Sequence, residues 1–304
     1  MTLPYVARLI CLCFAVFFLA QIVFAAVVAM LANRALARAE RMPARAGARL
    51  LLGLRLLPAT AAAFVVAALC APSYLWLEPE ATAEQVGWLC VGAATLGAVV
   101  CAAGLGRAGR AAVRSSRYLR TCQSAVESDA PVLMLAGVLR PRLVVSRGIR
   151  QALSAEQLEA ALRHERAHGV ARDNLKRLLM LLAPEPLPGF GALRRLEQGW
   201  SRMAEWAADD WAAEGSAERG LALASALLAV ARMAGPRPAL PLATPLLADR
   251  DGLAERVERL LGEPAPSEPG RHTVAVAAAT VTAAATIIPL VLPTVHKVLE
   301  ALAH

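Results

Sequence analysis

The chain of 304 residues is 57% hydrophobic and only 18% charged, and its mean hydropathy is +0.49. This composition excludes an ordinary soluble protein and indicates several membrane spans joined to a modest soluble part. The formal net charge of +8 raises nucleic-acid binding as an alternative, which the placement of the charges along the chain decides.

Four apolar stretches are long enough to cross a bilayer, which takes about 20 residues in a helix. They are residues 9–31, 56–77, 86–105 and 273–293, of which the last is the weakest because Ala and Thr dominate it. A signal peptide is the alternative for the first stretch. Its apolar region would be shorter and would follow a basic segment, whereas only Arg8 precedes this one. The sequence therefore predicts four transmembrane helices.

The loops between these spans carry charges of opposite sign. Arginines follow the first and third spans, at Arg34, Arg38, Arg41, Arg45, Arg49, Arg107, Arg110, Arg114, Arg117 and Arg120. The loop between the second and third spans holds only acidic charges, at Glu78, Glu80 and Glu84. Basic loops stay in the cytoplasm, which places both chain termini outside and residues 107–271 inside. The basic excess is thus a topology signal, and we expect a lipid bilayer and no nucleic acid as partner.

The first part of the cytoplasmic segment predicts two short strands, at about 132–136 and 142–146, joined through Gly137 and Pro141. One reading is a hairpin that only covers a helical core. The other is an edge strand, on which an extended peptide pairs before it is cleaved.

Helical patterns occupy the rest of this segment. A first helix is predicted over 153–182, where Ser154 and Gln157 have the spacing of a capping box. Further helices are predicted over 193–213, 220–233 and 253–262, and a Pro-rich stretch, 236–245, precedes the last of them.

The stretch "HERAH" in the first of these helices holds two of the five histidines, four residues apart. On a helix this spacing puts His164 and His168 on one face, where both imidazoles can bind one metal ion. Glu165, next to the first ligand, can instead reach a water molecule at that ion and act as general base. This is the H-E-x-x-H arrangement of zinc proteases. The alternative is a solvated helix face that holds these residues by coincidence.

A catalytic zinc ion needs three protein ligands and one open position. No other histidine lies well inside the cytoplasmic segment, so we expect the third ligand to be a carboxylate. The downstream candidates are Glu185, Glu197, Glu205, Asp209 and Asp210. Glu205 and Asp209 share a helix face, so one can bind the metal while the other holds a ligand histidine. A solvated acidic face is the alternative for this pair.

These residues resemble a known group of enzymes. "LSAEQLEAALRHERAHGVARDN" followed by "EWAADD" is similar to the gluzincin membrane peptidases, which carry H-E-x-x-H and then E-x-x-x-D. "LRPRLVVS" before the motif, "RDN" after it and "ERVERLL" before the last span most resemble the BlaR/MecR-type integral-membrane zinc metallopeptidases, which are four-span antirepressors. The resemblance extends over nearly the whole chain and is strongest from 130 to 214.

The resemblance implies a mainly α integral membrane protein with four transmembrane helices and a cytoplasmic α+β, zincin-like domain between the third and fourth spans. The corresponding divisions are a membrane region, 1–106, the metallopeptidase domain, 107–271, and the fourth span with its outer tail, 272–304. It implies Zn²⁺ as cofactor, Glu205 as third ligand, Asp209 as the partner of a ligand histidine, and an ordered structural role for Asp173. It also implies that the protein substrate is a BlaI/MecI-like repressor in a signalling pathway.

One departure from the family stands out. Its β-lactam receptors carry an extracellular penicillin-binding domain after the last span, whereas only residues 294–304 follow here, with no S-x-x-K or K-T-G motif. We therefore do not expect this chain to sense a β-lactam directly.

Three alternatives to a repressor-cleaving peptidase compete. An HtpX-like quality-control protease carries the same motif and cleaves many unrelated membrane proteins. An intramembrane site-2-type protease needs its motif inside a span, which disfavours it here because Arg163, Arg166 and Arg172 surround the motif. The third is a membrane signalling scaffold with a catalytically dead site.

Overall fold

The computed structural model describes residues 4–77, 86–121, 126–127, 129–183, 185–186, 191–233, 242–246 and 252–262. The described chain is mainly helical, with one small sheet. The predicted fourth span, 273–293, and the predicted acidic loop, 78–84, lie outside the described residues.

The N-terminal part consists of long helices. They are α1 (Tyr5–Glu40), α2 (Ala44–Val65), which continues through a π-helical stretch (Val66–Cys70) into α3 (Ala71–Leu77), and α4 (Trp88–Arg120). Three continuous helical stretches, Tyr5–Glu40, Ala44–Leu77 and Trp88–Arg120, are long and apolar enough to cross a membrane. This confirms that the first three predicted spans are helices long and apolar enough to cross a membrane. Each helix also runs on into the basic segment beside it, so that a turn at residues 41–43 is all that separates α1 from α2.

Three short strands follow in an antiparallel sheet of order β2-β1-β3. The predicted strands are confirmed as β1 (Leu133–Ala136) and β2 (Arg142–Val145), and Gly137 leaves β1 with a φ of 102°. The third strand, β3 (Ala243–Pro245), lies at the end of the stretch that the sequence predicts only as Pro-rich. Because β3 pairs with one side of β1 and β2 with the other, β1 cannot be the expected edge strand.

The remaining helices are α5 (Arg147–Ala152), α6 (Ala155–Ala171), α7 (Asp173–Leu182), α8 (Gly191–Ala213), α9 (Ala217–Arg232) and α10 (Leu253–Leu261). The capping box of Ser154 and Gln157 is confirmed at the start of α6. The prediction of one helix over 153–182 is wrong. Arg172 adopts a left-handed conformation, with φ of 56°, and this residue ends α6 and begins α7.

Helix α8 packs against α1 and α2 through large apolar side chains, namely Leu193, Leu196, Trp200, Met203 and Trp206. The sequence predicts that these side chains pack on the helix over 153–182. Of that stretch Met180 joins their cluster, whereas the turn that carries the HERAH motif does not contribute to it. The contact with α6 is made as well, but by the opposite side of α8, which carries small and acidic residues. Helix α8 therefore lies between the N-terminal helices and α6.

Arg55 strengthens this contact between α2 and the following helices. The sequence allows its side chain to reach out from the end of a span, but it is only 5% exposed. Its guanidinium donates to the carbonyl oxygens of Ala183, at 2.8 Å, and Met180, at 3.2 Å, and to the carboxylate of Glu197, at 3.3 Å.

Candidate metal centre

Helix α6 turns the HERAH motif into the protein. The side chains of His164, Glu165 and His168 are at most 1% exposed, so the motif does not lie on a solvated helix face. The Nε2 atoms of the two histidines lie 3.2 Å apart, as expected for residues one helical turn apart that point at the same place.

Glu205 on α8 brings a carboxylate to the same place. Its Oε2 lies 3.5 Å from Nε2 of His164, and its Oε1 lies 3.6 Å from Nε2 of His168. An ion bound tetrahedrally at 2.0–2.1 Å keeps its ligand atoms about 3.3 Å apart. The spacing of these three side chains is therefore that of a metal-ligand set, and their donor atoms all lie within 4.8 Å of one another.

Each histidine is held by a carboxylate on its other ring nitrogen. Nδ1 of His164 lies 2.9 Å from Oδ1 of Asp209, and Nδ1 of His168 lies 2.8 Å from Oδ2 of Asp173. The contact of His168 is a hydrogen bond, which keeps the proton on Nδ1 and leaves the Nε2 lone pair for a metal. Asp209 lies at ion-pair distance from His164, without the geometry of a hydrogen bond among the described residues. The left-handed Arg172 has its explanation here, because the break between α6 and α7 brings Asp173 beside His168 and within 2.7 Å of Lys176.

Glu165 lies beside this group and contacts the sheet. Its Oε2 accepts the backbone N–H of Leu135 in β1 at 2.9 Å, and the amide of Asn174 holds the carbonyl of the same residue at 3.0 Å. Oε1 of Glu165 is buried and has no hydrogen-bond partner among the described residues. Burial raises the pKa of Glu165 to about 7, so near neutral pH this carboxyl can both take up and release a proton.

A second cation reaches the cluster from α10. Arg256 is 4% exposed, and its Nε and Nη2 donate to the two carboxylate oxygens of Asp209 at 2.8 and 2.7 Å. Its Nη1 lies 3.1 Å from Oε2 of Glu205. Arg256 lies in "ERVERLL", one of the stretches that carry the family resemblance. The sequence did not assign it to the site, because one arginine among the alternating charges of a short amphipathic helix has no spacing that ties it to the histidines.

The balance of charge in the cluster favours a divalent cation. Among the described residues, the four carboxylates of Glu165, Asp173, Glu205 and Asp209 face two cationic side chains, Lys176 and Arg256. With neutral imidazoles, a bound divalent ion brings the formal charge of the cluster to zero. Unpaired charge is costly inside a protein, so the donor set and its charge both fit such an ion.

The ionisation of the cluster agrees with this requirement. Burial by itself would raise the pKa of Glu205, but His168 and Arg256 hold that pKa well below its usual value. Burial lowers the pKa of His168, yet the attraction of Glu205 and the hydrogen bond to Asp173 outweigh burial and raise it to about 10. Glu205 thus stays charged and keeps His168 protonated. A metal ion that binds here displaces that proton. Neither oxygen of Glu205 accepts a hydrogen bond of good geometry within the described part of the chain, and Oε1 faces His168 while Oε2 faces both His164 and Arg256.

The structure brings together His164, Glu165, His168, Glu205 and Asp209, all five of the site residues that the sequence predicts. It separates them from the other acidic candidates. Glu197 pairs with Arg55, and Asp210 pairs with Arg259. Glu185 is not among the residues whose donor atoms converge.

Removing the charge of Asp173 provides a first test of this arrangement. In Asp173→Asn the side chain still accepts a hydrogen bond, but it no longer makes His168 a stronger ligand. We expect metal affinity to fall by about 10- to 100-fold, the usual effect of losing a partner of a ligand histidine. Competition with a chromogenic chelator measures the affinity. Asp129→Asn, which alters an exposed carboxylate paired with Arg147, is the matched control. Equal affinity in the two variants would contradict the role of Asp173.

Comparison of the chain with protein-family models, with curated proteins and with solved structures finds no match.

Proposed function

We propose that this protein is a zinc endopeptidase whose active site is the cluster on α6 and α8. The observation that carries the proposal is the convergence of His164, His168 and Glu205 beside a buried glutamate, one oxygen of which has no hydrogen-bond partner among the described residues. Two histidines and a carboxylate that leave one position open are a common ligand set of catalytic zinc. When bound, zinc supplies Lewis-acid polarisation of the scissile carbonyl and of the attacking water.

Glu165 carries the proton in this mechanism. The Leu135 amide holds Oε2, and Oε1 has no hydrogen-bond partner in the described part of the chain, so the carboxylate has one oxygen fixed and one available. It takes the proton of the attacking water and passes it to the leaving amine. A pKa of about 7 suits both transfers, because a general base works best when its pKa lies near the working pH.

The substrate is a protein segment in extended form. The sheet packs against α6 through β1, and β1 is paired on both sides, so an incoming strand has to pair with β2 or β3. The resemblance to BlaR/MecR-type peptidases makes a BlaI/MecI-like repressor the proposed substrate, and cleavage of that repressor would pass a signal on to transcription.

Cleavage by the purified full-length chain tests this proposal. The zinc-loaded protein in detergent micelles is incubated with a winged-helix repressor of that class and with several unrelated unfolded proteins. We expect one cut in the repressor, located by mass spectrometry, and none after chelation of zinc. Cleavage of many unrelated proteins would favour HtpX-like quality control instead. A chain that binds zinc and cuts none of them would be a signalling scaffold.

The orientation of the site is a separate prediction. Because arginine-rich segments stay in the cytoplasm, a fluorescent reporter fused after Arg120 should fluoresce inside the cell. A phosphatase that is active only outside should be active when fused after Glu80. Phosphatase activity from the Arg120 fusion instead would place the cluster on the outer face and exclude a cytoplasmic repressor as substrate.

A further inference from the structure

Two arginines on α10 have different surroundings. Arg259 pairs with Asp210 near the surface, and the two side chains are 28% and 42% exposed. Arg256, one turn earlier, is 4% exposed. Besides its contacts with Asp209 and Glu205, its Nη1 donates to the carbonyl of Leu246, just after β3, at 3.1 Å.

The two carboxylates that Arg256 contacts have different duties in the metal centre. Glu205 is the carboxylate of the donor set, and Asp209 lies against Nδ1 of His164. The guanidinium of Arg256 therefore links Glu205, the third ligand, to Asp209. Asp209 in turn contacts the first ligand, His164. Its planar fork engages both oxygens of Asp209 while Nη1 faces Glu205, a geometry that the point charge of a lysine cannot reproduce.

A stabilising role alone does not account for this placement. Burying an ion pair costs desolvation energy, so a buried pair is weak evidence of a contribution to stability. A guanidinium close to a divalent ion would also oppose metal binding by Coulomb repulsion, unless it offsets a surplus of carboxylates. The cluster has that surplus, since Glu165, Glu205 and Asp209 are all buried around the site.

We propose that Arg256 is a positioning residue of the metal centre, through which the docking of α10 is coupled to metal binding. The proposal rests on the metal site of the proposed function but not on peptidase activity, so it can fail or succeed independently of any cleavage. Its consequence is that α10 contributes to the site without supplying a ligand: metal binds tightly only while α10 is docked, and bound metal in turn stabilises the docked helix.

The packing of α10 offers a way to displace it without touching the site. A Cβ added at Gly220 on α9 would lie 2.9 Å from the backbone carbonyl oxygen of Leu260 on α10. Such a contact is too short, and because the neighbour is backbone, the contact between α9 and α10 has to open. Gly191, at the start of α8, has no atom of the described residues within 4 Å of an added Cβ and provides the matched control.

The experiment compares Arg256→Gln and Gly220→Ala with their controls, Arg259→Gln and Gly191→Ala, in the full-length chain. Zinc affinity is measured by chelator competition, and the visible spectrum of the cobalt-substituted protein reports the geometry of the ligands. We expect both test variants to lose about 10- to 100-fold in affinity and to change the cobalt spectrum, and both controls to match the unaltered chain. Arg256→Lys restores the charge but not the fork, so it should recover part of the affinity without the original spectrum.

A role in fold stability alone gives a different pattern. Arg256→Gln would then unfold at a lower temperature but, once saturated with cobalt, would show the unaltered spectrum, and this result would overturn the proposal. If Arg256→Gln does not fold, Gly220→Ala decides, because unchanged zinc affinity in that variant would exclude coupling through α10.

Discussion

Replacing Glu205 with alanine should abolish metal binding and proteolysis together. The variant keeps His164 and His168, but two protein ligands are too few for a catalytic zinc site. The loss also leaves the buried Arg256 with one carboxylate fewer, which further disfavours a cation in the cluster. The zinc content of the purified full-length chain, measured by elemental analysis, provides the test, and cleavage of the repressor provides a second readout.

Two other variants on α8 serve as comparisons for Glu205→Ala. Glu197→Ala removes a half-exposed carboxylate that pairs with Arg55, so it should retain stoichiometric zinc. Asp209→Ala keeps the three ligands and should lose only about 10- to 100-fold in affinity or activity. If Glu205→Ala retained stoichiometric zinc while Glu197→Ala lost it, the assignment of the third ligand would be wrong.

Glu165→Gln should retain zinc binding but lose proteolysis. Glutamine fills the same space, and its side-chain oxygen can still accept the N–H of Leu135, so we expect the fold and the zinc content to persist. The amide cannot take up the proton of the attacking water. Loss of general acid–base catalysis costs about 10² to 10⁴ in rate, which kcat for repressor cleavage will report.

Glu159→Gln is the matched control for that experiment. Glu159 lies on the same helix, α6, with its side chain exposed to solvent, so the substitution makes the same chemical change away from the cluster. It should leave both zinc content and kcat unaltered. Cleavage at a near-normal rate by Glu165→Gln would contradict the proposed mechanism, even if that variant bound zinc fully.

The features predictable from the sequence are those that neighbouring residues decide among themselves. The three apolar runs are helices because each one is long enough to span a bilayer and holds few charges. Ser154 caps α6 because its hydroxyl reaches an amide three residues away. The four-residue spacing of His164 and His168 places both imidazoles on one helix face whatever surrounds the helix.

Local patterns failed where a distant contact outweighed a residue's own preference. The pattern over 153–182 is helical throughout, yet Arg172 takes a left-handed conformation, and the break places Asp173 on His168. The apolar face of α8 was predictable, but its partner was not, because α1, α2 and α6 all offer apolar surface. Only the packed structure shows that α1 and α2 cover that face.

The metal centre likewise combines residues that the sequence predicts with residues that only tertiary packing brings to the site. The sequence by itself determined the two histidines and the adjacent glutamate, because a single helix holds all three. Spacing alone left five acidic residues as candidates for the third ligand, and the family resemblance favoured Glu205. The approach of α8 to α6 then places Glu205 facing both Nε2 atoms. The stretch "ERVERLL" contributed to the family resemblance, but it did not tie Arg256 to the metal centre, since that arginine lies 47 residues beyond Asp209 in the chain. A contact over that separation depends on how α8, α9 and α10 pack, and packing is decided by the whole set of buried surfaces rather than by the residues nearby in sequence.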